Sequence, residues 1–431
     1  MHSTSVPMLS LLPRVRRLYV RSFSGLPRKV WLLSLVMVVN RSGAMVIAFL
    51  SVYLINSMGY SATDAGWVMG AFGAGGIVGN YVGGILNDRF GSWHIMVISL
   101  VVAGLLHIII GQVTSFPLLC VLVFLTSLSA DAFRPANRAA IAVYASPENL
   151  TQAYGLQRLA ANLGFSIGPA LGGLLISSYG YESLFWADGI TYWLAAALFL
   201  VFLPADETAS PLVDDPLDRH GDTPETARPL EETRPGLRQP WLVRMILANA
   251  FIITCFFQFF STVPVYLTQS GYTEGQFGFL LTISGATIVL IEMPLVYISD
   301  RRYRPIYVML SGTALILAGY LLLPVAVLTG YALLVVWILL ITFGEILLMP
   351  FTSTYVAKHA PAARRGEYLG LLSASYSVAF VMTPVVGFQL AALLGYAVSI
   401  YAVSALGIVG FLLLLTVDKA REIRQRELEL T

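Results

Sequence analysis

Apolar residues along this chain fall into twelve runs separated by short polar turns, over about residues 30–56, 65–87, 93–113, 116–141, 150–177, 183–204, 241–268, 275–298, 305–328, 330–354, 366–392 and 394–417. Each run is about 20 residues or longer, which is what a helix needs to cross about 30 Å of hydrocarbon. None shows the ten-residue alternation of a membrane β-barrel. The pattern predicts an all-α membrane protein with twelve transmembrane helices. Lys and Arg then orient it. They crowd the N-terminal segment, the turn at Arg89, the 205–240 segment, the turn at Arg301, Arg302 and Arg304, the turn at Lys358, Arg364 and Arg365, and the tail. The opposite turns, near 57–64, 114, 180, 270–274, 329 and 393, carry neither residue, so both termini are expected to be cytoplasmic.

The pattern breaks once at length. Residues 205–240 replace aliphatics with acids, Pro, Ser and Thr and read as a solvated, flexible linker. The expected organisation is a basic cytoplasmic segment over 1–29, a six-helix bundle over 30–204, the linker over 205–240, a second six-helix bundle over 241–417 and a cytoplasmic tail over 418–431. The bundles repeat each other. A shift of 215 residues lays Pro135 on Pro350, Gly155 on Gly370, Pro169 on Pro384 and Gly172 on Gly387, while Asp88-Arg89 corresponds to Asp300-Arg301. Two similar halves about one axis can alternate which side of the membrane is open.

Composition agrees with the pattern. The chain is 57% hydrophobic and 12% charged, with mean hydropathy +0.75, against about a quarter charged in soluble domains. A net charge of +2 says little, because placement matters more than the sum. The first apolar run is too long for a signal-peptide core and is expected to remain as a membrane helix. Cys120 and Cys255 lie within spans and imply neither a disulfide framework nor a metal site. His94 and His107 read as isolated. No phosphate loop, hydrolase grouping or basic-aromatic nucleic-acid surface occurs. A non-enzymatic protein without a cofactor is expected, one that draws on a proton gradient or on its substrate's own.

Two motifs narrow the reading. In GLQRLAANLGFSIGPALGG, residues 155–173, the residues Gly155, Gly164, Gly168, Pro169, Gly172 and Gly173 include a stripe at every fourth position. Such a stripe lets a neighbouring helix come very close, and Pro169 removes a backbone donor and bends the helix. This spacing suits two halves that slide or seal, and only one half keeps it, since Ala379 and Thr383 stand where Gly164 and Gly168 would recur. It resembles the antiporter motif of the fifth helix in the twelve-helix drug:proton antiporter branch of the major facilitator superfamily. The turn GGILNDRFGSW, with Gly84, Asp88, Arg89 and Gly91, is similar to that superfamily's gating motif, although Ser92 and Trp93 replace its last two basic residues. The resemblance implies alternating access, with helices one, four, seven and ten lining a central cavity and two, five, eight and eleven at the interface between halves.

Ionisable residues inside spans are costly in lipid and mark candidate sites. Helix one carries Arg41, helix four Asp131, Arg134 and Arg138, helix five Arg158, helix eight Glu292 and helix ten Glu345. An Arg keeps its proton at any working pH, whereas a carboxylate can load and release one as its surroundings change. The proton-coupling candidates are therefore Glu345, Glu292 and Asp131; a structural ion pair is the alternative, chiefly for Asp131 with Arg134 one turn away. Arg41, Arg134, Arg158, Asn40, Tyr53, Phe257, Gln258 and Tyr376 are the substrate-cavity candidates, with Phe256, Tyr266 and Tyr355 as further aromatics. The whole reads as a monomeric, multi-pass inner-membrane transporter that exchanges protons for a small amphipathic or anionic solute moving outward. An importer, a siderophore, metabolite or lysolipid transporter of the same fold, and a non-transporting membrane sensor or scaffold remain as alternatives.

Overall fold

The computed structural model describes residues 25–146, 149–203, 236–361 and 364–420. Among the described residues twelve helices are long and apolar enough to cross a membrane: Arg28–Ser57, Ala62–Phe90, Ser92–Ile110, Phe116–Tyr144, Leu150–Tyr179, Glu182–Phe202, Pro240–Phe260, Glu274–Arg302, Pro305–Thr329, Tyr331–His359, Arg365–Leu394 and Tyr396–Ala420. They are called helices one to twelve below. Most of the basic N-terminal segment, nearly all of the linker and most of the tail lie outside the described residues. Helices suit lipid because each satisfies its own backbone hydrogen bonds. The turns are set locally. Gly91, at φ 80°, makes the tight corner between helices two and three, where a side chain would be strained. Thr273 and Gln276 form a capping box that starts helix eight.

The first helix of each half is interrupted. Helix one consists of Arg28–Ser42 and Met45–Val52, separated at Gly43 and Ala44. Helix seven ends at Phe260 and resumes as Thr262–Gln269 after Ser261. The sequence reading expected neither interruption. Each broken helix packs against the fifth helix of its own half. A methyl on Gly168 would sit 2.8 Å from the Ser42 carbonyl, and one on Gly172 3.1 Å from both Met45 and Phe49. In the second half Thr383 donates to the Thr254 carbonyl at 3.2 Å, and Gly387 lies against Gln258.

That geometry corrects the expected role of the Gly164–Gly168–Gly172 stripe. It does not face the other half; it seats the break in helix one. A different face of helix five meets helix eight, where the small residues belong to helix eight. Gly278 lies against the Pro169 carbonyl and Gly285 against Ser166, and a methyl on Gly173 would be 2.8 Å from the Gly275 Cα. The Thr282 hydroxyl donates to the Ser166 carbonyl at 3.1 Å. Close backbone approach through small residues drives this packing, because lipid offers no hydrophobic force between helices.

The halves also meet at the end remote from the termini. Asn56 Nδ2 donates to Thr268 Oγ1 at 3.1 Å, and the Tyr181 hydroxyl donates to Glu274. Helix two touches helix eleven through Gly66, Gly70 and Gly73, against Phe380, Val381, Pro384, Val385 and Phe388. Toward the termini the same face of helix two continues as Ile77, Asn80 and Tyr81, all exposed, and a methyl on Gly84 or Gly370 would meet nothing within 4 Å. Helices two and eleven are therefore splayed at the termini end and closed at the other.

Candidate functional site: a two-ended cavity and a charged bridge

A cavity of about 340 Å³ lies beside the break in helix one. Its walls are unequal. Helices one to six supply every polar group, among them Arg41, Ser127, Asp131, Arg134, Asn162 and Asp188. The second half contributes only Phe260 and Phe380. These rings close the side remote from the termini by pairing across the halves: Phe72 with Phe380 at 6.3 Å and Phe165 with Phe260 at 5.6 Å between centroids.

The charges on the polar side are not equally satisfied. Arg134 Nε pairs with Asp131 Oδ1 at 2.8 Å, one helical turn away. This is the structural ion pair that the spacing of the two residues offers as the alternative. Asp188 accepts from the backbone N–H of Met45 at 3.2 Å and of Val46 at 2.8 Å. It thereby caps the second segment of helix one at the positive end of its dipole. His107 commits Nδ1 to the Ala103 carbonyl at 2.7 Å, stacks on Tyr192 and turns Nε2 toward Asp188 Oδ2 at 4.0 Å. Arg41, halfway along helix one, has no hydrogen-bond or ion-pair partner among the described residues.

A second constellation crosses the interface. Arg158 of helix five forms an ion pair with Glu292 of helix eight, whose other oxygen accepts from Asn162 Nδ2 at 3.3 Å. Glu292 is buried, while Arg158 is 49% exposed, so the pair joins a dry wall to an open one. Glu345 of helix ten lies within electrostatic reach of both. The bridge sits on the termini side of the Ser166–Gly285 contact.

Other expected residues are placed differently. Arg158 is neither isolated nor buried and does not line the cavity. Tyr53 packs between Tyr181 and Phe185 away from the cavity. Gln258 is buried and fully engaged, donating to the Thr383 carbonyl and accepting from Ser261 and Thr262, so it holds the helix-seven break rather than a solute. Phe257 stands behind the wall, 5.0 Å from Phe380. Asn40 is buried beside Arg41 in sequence with Nδ2 unpartnered. Tyr376 is half-buried and outside the cavity lining. Phe256, Tyr266 and Tyr355 are also packing residues, Tyr266 stacked on Tyr396 and Tyr355 bonded to Asp418. Arg138 is exposed, and its carbonyl accepts from the Tyr154 hydroxyl.

The gating residues are disengaged. Asp88 and Arg89 are exposed, Asp88 accepting among the described residues only from neighbouring Asn87 and Arg89 lying over the Phe90 ring. In the repeat, Asp300 pairs with Lys358 of its own half and Arg301 covers Tyr297. Gly155 is half-buried near the termini end of helix five. His107, expected to stand isolated, instead faces Asp188 and Tyr192, and the sequence pattern marks neither the rings Phe72, Phe165, Phe260 and Phe380 nor Asp188, a buried acid among the guanidiniums of the first half.

Two six-helix repeats around a central cavity, with an ion pair spanning them, define a membrane carrier. The chain belongs to the Major Facilitator Superfamily, whose family model matches residues 30–326 and 270–430. It is 26% identical over 400 residues to the uncharacterized MFS-type transporter YqjV of Bacillus subtilis (strain 168), covering 90% of this chain and 92% of the relative. It is 22% identical over 369 residues to a Na(+), Li(+), K(+)/H(+) antiporter of Planococcus maritimus, covering 80% and 85%. Among solved structures, a POT family transporter in complex with 5-aminolevulinic acid superimposes with TM-score 0.76 at 16% identity, over 92% of this chain and 98% of that one, a likeness of fold.

Proposed function

We propose that this transporter works by alternating access as a proton-coupled exporter of a small amphipathic or anionic solute, with both termini in the cytoplasm of a bacterium and the bundle in its inner membrane. The observation that carries the reading is the Arg158–Glu292 ion pair across the halves, with Glu345 beside it. Ionised Glu292 holds helices five and eight together on the cytoplasmic side of their contact. A proton that reaches Glu292, directly or by way of Glu345, removes that attraction and lets the cytoplasmic end, where helices two and eleven already part, open further. Release of the proton inside restores the charge and favours closure there. The positions of Lys and Arg support the orientation. The antiporter of Planococcus maritimus is named for proton exchange, which supports the coupling. An unpartnered Arg41 in the cavity argues against a cation as solute.

The test uses proteoliposomes given a bacterial metabolite extract and an imposed pH gradient, with mass spectrometry of what accumulates. At least one solute should accumulate severalfold over protein-free vesicles, and the Glu292→Gln, Glu345→Gln double variant should lose this. Accumulation of nothing, or an undiminished gradient-driven signal in the double variant, contradicts the reading.

A further inference from the structure

The cavity is built in two chemically distinct parts, and a transported solute has to engage both halves of the protein. A ligand that touches both must therefore turn its polar group to helices one to six and an apolar face to Phe260 and Phe380. The polar side specifies the sign of that group. Arg134 is neutralised by Asp131 at 2.8 Å, and Asp188 is satisfied by two backbone N–H groups. Arg41, halfway across the span, has no hydrogen-bond or ion-pair partner among the described residues, and Asp131, already paired with Arg134, reaches it only electrostatically. A guanidinium without a directly bound anion at that depth is costly unless one joins it. Ser127, on the same wall, is a buried hydroxyl without a hydrogen-bond partner among the described residues. The guanidinium fork matches the two oxygens of a carboxylate, with charge-assisted hydrogen bonds that an amide or an amine does not reproduce.

The apolar side is equally particular. Phe72 and Phe165 come from the first half and Phe260 and Phe380 from the second, and each ring pair crosses the interface. A flat ring inserted among them makes edge-to-face contacts with both halves at once. A volume of about 340 Å³ lies at the small end of ligand sites, which run from about 300 to 1,000 Å³.

We infer that the cavity is a binding site for small aromatic carboxylates, with Arg41 holding the carboxylate and the Phe72, Phe165, Phe260 and Phe380 rings holding the aromatic group. This rests on the transporter reading above and names its substrate class. Arg41 is a substrate-binding residue. The four phenylalanines serve both as ring site and as the closure on the side remote from the termini, so a bound ring ties the halves together there.

Purified full-length protein in detergent is titrated with three probes of similar size, phenylacetate, phenylacetamide and phenethylamine, and with the smaller aliphatic acid butyrate. Binding is read by calorimetry and by the rise in unfolding temperature, which grows with ligand concentration over dissociation constant. Phenylacetate should bind at least tenfold more tightly than the neutral, cationic or aliphatic probe. Arg41→Gln should lose that preference at least tenfold, with Arg41→Lys intermediate. Phe380→Ala should weaken phenylacetate while leaving butyrate unchanged. Variants enter the comparison through their ligand-free unfolding temperature, and Phe380→Ala and Arg41→Lys carry the test if Arg41→Gln does not fold. Equal binding of phenethylamine or phenylacetamide, no binding of any probe, or wild-type affinity for phenylacetate in both Arg41 variants overturns the inference. If none of the probes binds but the metabolite extract yields a gradient-driven solute, the substrate class fails and the transporter reading stands. If the extract yields nothing, the transporter reading itself fails.

Discussion

Asp188 anchors the break in helix one beside the cavity, since its carboxylate accepts the N–H groups of Met45 and Val46 that the break would otherwise leave bare. A buried donor without an acceptor costs about 1–3 kcal/mol. Asp188→Ala should therefore lower stability by at least that much, and Asp188→Asn, which keeps one acceptor oxygen, by less. Denaturant unfolding in detergent measures both, and an Ala variant as stable as wild type would show that the break is held by packing alone. The charges themselves were legible in the sequence, because an ionisable residue within an apolar run stands out. Their partners were not. Arg158 and Glu292 lie on different halves and only the fold brings them together. Asp188 sits shortly after the start of helix six, where an acid reads as a polar end; it is buried because an unforeseen break in helix one delivers two N–H groups to it.

At the scale of helices, glycine spacing reveals which residues share a face and leaves open which neighbour that face meets. The stripe of helix five was legible as a close-packing surface, but its partner is helix one, and the contact between halves rests on Gly275, Gly278 and Gly285 of helix eight. The two surfaces make separable predictions. In a Gly168→Val protein the added side chain displaces the Ser42 carbonyl and the break that carries Arg41, so it should be less stable by about 1–3 kcal/mol, the usual cost of overpacking, and should not transport. Gly278→Val pushes helices five and eight apart at the Pro169 carbonyl instead. With Cys120 and Cys255 replaced by Ser, an Asn56→Cys, Thr268→Cys pair reports closure at the far end, where the native side chains are 3.1 Å apart. Oxidative cross-linking of that pair should fall severalfold with Gly278→Val and stay unchanged with Gly168→Val. The opposite ranking would return the stripe to the interface between halves.

The twelve-helix plan was legible because hydrocarbon thickness fixes helix length and the two halves repeat each other. Which end of the molecule is open was not legible, because it depends on contacts between residues far apart in sequence. Helices two and eleven meet through Gly66, Gly70 and Gly73 and part toward Gly84 and Gly370, while the Arg158–Glu292 pair still ties helices five and eight on the termini side. Proton-controlled strength of that tie is the central claim of the mechanism. Spin labels at Tyr81→Cys on helix two and Ser373→Cys on helix eleven, in the background lacking Cys120 and Cys255, report the separation of the halves at the termini end by pulsed electron resonance without any substrate. Under the proposed mechanism a proton on Glu292 weakens the tie, so lowering the pH should shift the distance distribution to longer values and raising it to shorter ones. The Glu292→Gln, Glu345→Gln double variant should stay at the acid distribution at every pH. Superimposable distributions in the wild type at acid and alkaline pH, or a full pH response in the double variant, would contradict the account.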